Sequence, residues 1–370
     1  MSTDTHTPIP LKYRPRKFSD LIGQELIVQT IKNAIKLKRI ANAYLLTGVR
    51  GVGKTTSARI IAMSLNCQVI DVDKESFQEP CGECENCISI SESRSVDVLE
   101  MDAASRTGIS DIRELIEGVQ YAPISSKYKI YIIDEVHMLS TAAFNGLLKT
   151  LEEPPPHVKF IFATTEVRKI PTTILSRCQR YDLKRVEPGS LSKYLNEICS
   201  YESISIDDGA LKILSRAADG SVRDALSLLD QSIAYSEGNV REDLVKEMIG
   251  LNDPTQILDL LKLIIEGRTE DSLKKLNELY DHGADPILLL KDLITNIHQI
   301  GMIKIGANEG IKNLLTESEF QLLGNLSTKL EIQSISMVWQ MLNKGLNEVQ
   351  SSFSPISSLE MLIIRLIYFN

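Results

Sequence analysis

The chain has 370 residues, 43% of them hydrophobic and 24% charged, with a formal net charge of −8. Since a single core usually stops growing near ~250 residues, two or three domains are expected. The acidic balance excludes a broadly basic, histone-like nucleic-acid binder, though not a basic stripe on one face. No uninterrupted apolar stretch approaches the ~18–20 residues of a membrane span, and Met1-Ser-Thr-Asp-Thr-His-Thr-Pro8 has no apolar core. The expected location is the cytoplasm, with no membrane partner.

The first strong signal in chain order is an apolar strand, Ala43-Tyr-Leu-Leu-Thr47, followed by a helix from Lys54 to about Asn66. Between them, Gly48-Val-Arg-Gly-Val-Gly53-Lys54-Thr55 fits the phosphate-loop pattern G-x-x-x-x-G-K-[ST] in the context it requires. Gly48, Gly51 and Gly53 let the chain curl with its N–H groups around a β-phosphate, at backbone angles a β-carbon disfavours. Lys54 is placed to reach the β and γ oxygens, and the Thr55 hydroxyl to take a magnesium position, with the helix N-terminus facing the same phosphates.

Four of the six cysteines come next: Cys67, Cys81, Cys84 and Cys87. Two C-x-x-C steps sharing Cys84 bring three thiolates onto one turn, and Cys67 can supply the fourth ligand of a tetrahedral zinc site. Reduced or redox-active thiols are the alternative. With four sulfur ligands no position stays open for chemistry. Cys178 and Cys199 are expected to be buried apolar side chains.

Residues 96–101 read as a strand, Ile109 to Gln120 as a helix, and Lys129-Ile-Tyr-Ile-Ile133 as a buried parallel strand ending in Asp134 and Glu135. Function is expected at the carboxyl end of such a strand. Asp134 would hold magnesium through water, and Glu135 would orient or deprotonate the attacking water; a solvated acidic pair is the alternative. His137 is expected to be exposed. Val158 to Thr164 reads as a further strand, and Leu175-Ser-Arg177-Cys178 offers an arginine that can stabilise the transition state from the same chain or from a neighbour. Up to about Lys184 the alternation predicts an α/β domain, a parallel sheet with helices on both faces.

From Glu187 to about Gly250 the pattern is helical, with Leu226, Leu229 and Ile233 at helical spacing behind Gly220-Ser221. Beyond the joint at Asn252-Asp-Pro254 it remains helical to Asn370, with runs such as Leu288 to Ile294. Trp339, in Ile335 to Leu342, reads as an ordinary core residue, or else as a place where subunits meet.

The order of these features, with Gly220-Ser-Val-Arg223-Asp224-Ala-Leu-Ser-Leu-Leu-Asp-Gln231 after them, resembles the γ/τ subunit family of the bacterial DNA polymerase III clamp loader. Lys12-Tyr-Arg-Pro15, Phe18 to Gln24, Asp102-Ala-Ala-Ser-Arg-Thr107, Val119-Gln-Tyr-Ala-Pro123 and Leu147 to Pro155 resemble it as well. The resemblance covers the whole chain. It implies an AAA+ P-loop parallel sheet over residues 1–185 with a zinc module at about 67–90, a helical lid at 186–250, and an all-α collar for oligomerisation at 251–370.

It also implies an ATPase motor that works with other copies of itself, δ and δ′ subunits, a sliding clamp and primed DNA. The family's holoenzyme label, DNA-directed DNA polymerase, comes with it. The implied cofactors are ATP, Mg2+ and Zn2+. On that pattern Tyr13, Arg14 and Pro15 line the adenine side, and Gly48, Gly51, Val52, Gly53, Lys54, Thr55 and Thr56 hold the phosphates. Thr165 is sensor 1, Arg223 on the lid is sensor 2, and Arg177 acts on the ATP of the adjacent subunit. Arg106, Arg113 and Lys149 resemble DNA-backbone contacts.

Two departures stand out: Gly108 where some relatives carry lysine, and a long spacer between Cys67 and Cys81. The chain stops at Tyr368-Phe-Asn370, where the collar is expected to end, so a short γ-like form without the τ tail is expected, natural or trimmed. Two other classes share part of the pattern. A branch-migration helicase of the AAA+ type would not be expected to carry the four-cysteine insert or the collar, and a catalytically silent scaffold subunit normally lacks a working phosphate loop.

Overall fold

In the computed structural model, the described residues are 7–69, 79–105, 115–236, 238–249, 254–307 and 317–368. The chain divides into two compact units, Met1–Glu242 and Asp243–Asn370.

The first unit is built on a five-stranded sheet of β1 (Ala43–Thr47), β2 (Val98–Asp102), β3 (Lys129–Asp134), β4 (Val158–Thr164) and β5 (Gln179–Asp182). Their order is β2-β3-β4-β1-β5, and every pairing is parallel. Parallel strands need crossover connections that cover both faces, and the side chains divide accordingly. Tyr44, Leu46, Ile130, Ile132, Ile161 and Ala163 enter one apolar layer, while Ala43, Leu45, Tyr131, Ile133, Phe160 and Phe162 enter the other. Each such Ile, Leu or Phe contributes ~1.5–3 kcal/mol on full burial, which is why the central strands carry almost no polar residues.

After the short helix α1 (Ile9–Lys12), which packs against the helix Val222–Tyr235, the helices α2 (Glu25–Lys36), α3 (Lys54–Asn66) and α4 (Glu85–Ser91) contribute residues to the first layer. Residues of the helix Thr141–Glu152 fill the opposite layer. All carboxyl ends point to one edge, where Thr47 stands beside both Thr164 and Asp182.

The region expected to be purely helical contains the helices Pro188–Tyr201, Asp208–Ala217 and Val222–Tyr235, but also a two-stranded parallel pair, Ser205–Ile206 with Asn239–Val240. Val240 is fully buried there, and pairing satisfies the backbone of the two connecting segments. The expected helix at 109–120 lies partly outside the described residues.

Among the described residues of the second unit the regular elements are all helices, with Leu276, Leu289, Leu293, Ile297, Val349, Leu359 and Ile363 in the core. At Gly345 an added β-carbon would fall 2.4 Å from Leu362, so glycine lets the helices Ile332–Ser351 and Pro355–Tyr368 approach closely. Trp339 is not the core residue expected: it is 41% exposed, because Ile335, Val338, Leu342, Gly345 and Val349 form the buried stripe and position 339 lies beside it. Among the described residues no helix is long and apolar enough to cross a membrane.

Candidate active site and metal centre

The phosphate loop leaves β1 at the carboxyl edge of the sheet, and the left-handed backbone at Gly51 (φ 78°) and Gly53 (φ 100°) explains two of its glycines. They serve different ends. A β-carbon at Gly53 would meet nothing within 4 Å, so the loop stays open there, as an incoming phosphate requires. At Gly51 it would fall 1.9 Å from Ser221 Oγ. That position is closed by the next part of the chain, since the Arg223 N–H donates to the Gly51 carbonyl at 3.2 Å. Ser221 in turn caps the helix Val222–Tyr235 by accepting from the Asp224 N–H at 3.2 Å.

Lys54 is buried at the start of α3, its Nζ donating to the carbonyls of Gly48 at 3.1 Å and Val49 at 3.0 Å. Burial pushes its ammonium below the ordinary value, and Glu135 and Asp134 pull in the opposite direction. Thr55 Oγ1 donates to Asp134 Oδ2 at 2.5 Å, so the hydroxyl and the carboxylate assigned to magnesium are already together. Hard oxygen donors of this kind suit Mg2+. Thr56 Oγ1 accepts from Arg14 Nε at 3.4 Å. Burial and Arg59, with a smaller push from Arg223, hold the Arg14 guanidinium below its usual value. Lys54, Arg14 and Arg223 thus bring positive charge toward one loop, and a triphosphate would relieve that repulsion.

Glu135, immediately after β3, has a left-handed conformation, φ 44° and ψ 44°, which costs a non-glycine residue ~1–3 kcal/mol and persists where surroundings enforce it. Its Oε2 accepts from the Thr165 N–H at 3.2 Å and the Thr165 hydroxyl at 3.1 Å. The expected exposure of His137 is corrected by the structure. After Glu135 the chain enters the short 3-10 helix Val136–Met138, which turns the imidazole inward, leaving its side chain 6% exposed and Nδ1 3.0 Å from Thr164 Oγ1.

Other assigned residues lie farther out. Tyr13 donates its hydroxyl to Glu202 Oε1 at 2.6 Å, and burial together with that carboxylate pushes its phenol up to about 12. The Tyr194 hydroxyl reaches the Tyr13 carbonyl at 3.5 Å, so this segment is tied to the helix Pro188–Tyr201; Pro15 is half-buried and Val52 buried. Arg177 is exposed, donates to the Thr173 carbonyl at 2.6 Å and pairs with Glu152.

Register locates the start of β5 relative to the loop. Gln179, its first residue, lies opposite Tyr44, so the turn that carries Arg177 enters the sheet at its amino edge. The phosphate loop leaves β1 at the opposite, carboxyl edge, Gly48 being four strand residues beyond Tyr44, ~13 Å at ~3.3 Å each. Lys149 is exposed in the last turn of the helix Thr141–Glu152. Arg106 and Arg113 lie outside the described residues.

The four cysteines meet as their spacing predicts. Cys67 caps the C-terminus of α3, Cys84 precedes α4, Cys87 lies in its first turn, and all four Sγ atoms are within 4.8 Å of one another. Sγ pairs 81–87 and 67–84 are each 3.9 Å apart. Four sulfurs at ~2.3 Å around a tetrahedral zinc ion stand ~3.8 Å apart, so the donor set fits that metal. The Cys84 N–H donates to Cys81 Sγ at 3.2 Å; burial opposes the thiolate, but this and neighbouring hydrogen bonds bring the Cys81 thiol down to about 7. Cys178 is half-buried and Cys199 buried, and burial raises both thiols.

Residues 23–187 match the family described as DNA polymerase III, delta subunit; residues 190–238 the DNA polymerase III clamp loader subunit, ATPase lid domain; and residues 240–370 the DNA polymerase III subunits gamma and tau domain III. DNA polymerase III subunit gamma of Buchnera aphidicola subsp. Baizongia pistaciae is 36% identical over 360 residues, covering 97% of this chain and 96% of that protein. The chain belongs to the DNA polymerase III gamma/tau family. The DNA polymerase III tau subunit of Escherichia coli is 40% identical over 359 residues, covering 97% of this chain and 55% of its own. That of Salmonella typhimurium is 45% identical over 294 residues, covering 80% and 45%. The chain therefore spans about half the length of these tau relatives.

Sequence reasoning named the phosphate loop, the acidic pair and the cysteines, but not the tie between Glu135 and Thr165 or the seat of Ser221 against Gly51. A serine just ahead of a helix signals a cap; nothing in its spacing signals the partner.

Proposed function

We propose that the chain is the ATP-driven motor subunit of a clamp loader that places a sliding clamp on primed DNA. The observation that carries this is the convergence of Lys54, Thr55 with Asp134, Glu135 with Thr165, and the Arg223 backbone at one edge of the sheet. Family membership supports the same reading.

Lys54 would leave its carbonyl partners for the β and γ oxygens of ATP. Bound at Thr55 and, through water, at Asp134, magnesium would supply charge neutralisation on those oxygens. Glu135 orients the attacking water, and Thr165 senses the γ-phosphate through the carboxylate it holds. Arg223 and Arg14 answer the phosphate charge, so loss of the γ-phosphate weakens the hold of the lid on the loop. The placement of Arg177 before the amino end of β5, away from the carboxyl edge where its own loop lies, supports its action on a neighbour's ATP. Zinc at Cys67, Cys81, Cys84 and Cys87 would be structural, since four sulfur ligands complete its coordination.

Residues 1–185, 186–250 and 251–370 serve as ATPase domain, lid and collar. The partners are further copies of the chain, δ and δ′ subunits, the clamp and primed DNA, with Lys149 as one DNA contact, and the setting is the cytoplasm. The polymerase label of the holoenzyme is not carried over to this subunit, whose site supports phosphate-anhydride hydrolysis. The decisive assay is ATP hydrolysis with δ, δ′ and the clamp, with and without primed DNA. DNA and clamp should stimulate turnover, and Lys54→Ala should lower it by at least ~100-fold. Turnover indifferent to both additions would sink the clamp-loading reading.

A further inference from the structure

His137 lies between the acidic pair and the end of β4. Its Nδ1 is 3.0 Å from Thr164 Oγ1 and 3.4 Å from Glu135 Oε2, and its Nε2 is 3.6 Å from Glu166 Oε1. The surrounding groups are themselves anchored: Thr164 Oγ1 accepts from the Glu166 N–H at 3.0 Å, and Glu166 pairs with Lys169 at 2.8 Å. With its proton on Nδ1, the imidazole donates toward Thr164 and presents the same hydrogen to Glu135 Oε2. That oxygen already takes two hydrogen bonds from Thr165. Three contacts therefore converge on Oε2, and they determine the direction in which Oε1 is presented.

The left-handed backbone of Glu135 makes this matter. A residue in that conformation is held by its environment, and rotation about its side-chain bonds would swing the carboxylate out of line. The geometry points to His137 as a positioning residue for hydrolysis, which keeps Glu135 Oε2 against the end of β4 so that Oε1 faces the attacking water. This rests on the reading of Glu135 as the residue that orients the water. His137 itself makes and breaks no bond; it acts through Glu135. A purely structural role would fill the same space but would not depend on which ring nitrogen is replaced.

The test uses that difference. Asparagine sets its amide near the place of Nδ1, whereas glutamine sets its amide near Nε2. The full chain and its variants H137A, H137N and H137Q are assayed for ATP hydrolysis, with melting temperature and zinc content as fold controls, and each is crystallised without nucleotide. H137A should lower kcat ~10- to 100-fold with KM for ATP within ~2-fold, because a misplaced catalytic group costs turnover rather than binding. H137N should recover most of the loss and H137Q little. In the crystals Glu135 should leave Thr165 in H137A and H137Q and stay in H137N. A loss carried by KM, equal recovery by both amides, or a Glu135 carboxylate that stays in place in H137A would overturn the inference. The crystallographic arm needs no turnover: an inactive wild type would overturn the ATPase reading, while Glu135 displaced only in H137A and H137Q would still identify His137 as the residue that holds it.

Discussion

Asp97, only 1% exposed and immediately ahead of β2, gathers four hydrogen bonds on its carboxylate. Oδ1 accepts from the Ile124 N–H at 2.7 Å; Oδ2 accepts from the N–H groups of Ser125 and Ser126 at 2.7 and 2.8 Å and from the Ser125 hydroxyl at 3.1 Å. Burial alone would raise its pKa, but these donors outweigh burial and hold it below the usual carboxylate range. A carboxyl depressed in the folded state stabilises fully above its unfolded value, ~3.9, and the contribution is lost as pH falls through the folded value. Asp97→Asn should therefore cost ~2 kcal/mol at pH 7, since an amide keeps one acceptor oxygen and its NH2 cannot accept from the donors that face the other. Below pH 4 the gap between variant and wild type should close. Urea denaturation of both proteins at pH 7 and near pH 3 checks this, each pair compared at equal pH so that any loss of zinc affects both. A gap that is constant with pH would show that the charge is not what Asp97 contributes. Its role was illegible in the sequence because an aspartate ahead of a strand signals a turn, and its partners lie 27 to 29 residues away.

At the scale of elements the cysteine module shows what spacing can and cannot tell. Cys81, Cys84 and Cys87 are close in sequence, so their meeting was legible; Cys67 joins them because α3 ends beside α4, a tertiary fact. Asn86 reinforces that join by donating to the Asn66 carbonyl at 2.8 Å, and Asn66 donates to the Tyr128 carbonyl at 2.8 Å. The module is thus fastened to the far end of the phosphate-loop helix. Cys84→Ser should abolish binding of about one zinc per chain and lower the melting temperature, while nucleotide affinity at Lys54 falls less than ~10-fold, because α3 keeps its burial against the sheet. Metal analysis and nucleotide titration of the same preparation measure both. A wild type that is fully folded without metal would remove the zinc assignment. The strands, the phosphate loop and the acidic pair were readable because apolar runs and glycine spacing are local signals. The seat of Ser221 against Gly51 and the inward turn of His137 were not, since both depend on where other parts of the chain come to rest.

At the scale of the whole molecule, the separation of Arg177 from its own phosphate loop gives the sharpest test. Arg177, in the turn before β5, pairs with Glu152 on the side of the amino edge of the sheet, whereas Lys54 lies at the carboxyl edge. On the proposed mechanism, a complete hydrolytic site takes its arginine from another copy. Lys54→Ala removes the phosphate anchor but leaves Arg177 available to a neighbour. Arg177→Ala keeps the anchor and lacks the cation, which is worth ~10³–10⁵ in turnover where such a residue operates. Each variant alone should be nearly inactive. Mixed and allowed to exchange subunits, they can form an interface in which the Arg177→Ala chain binds ATP and the Lys54→Ala chain supplies arginine. Hydrolysis should then reappear, in proportion to the fraction of mixed interfaces measured by mass spectrometry. If Arg177 served its own chain after a large rearrangement, no pairing could unite a working lysine with a working arginine, and demonstrably mixed oligomers would stay inactive.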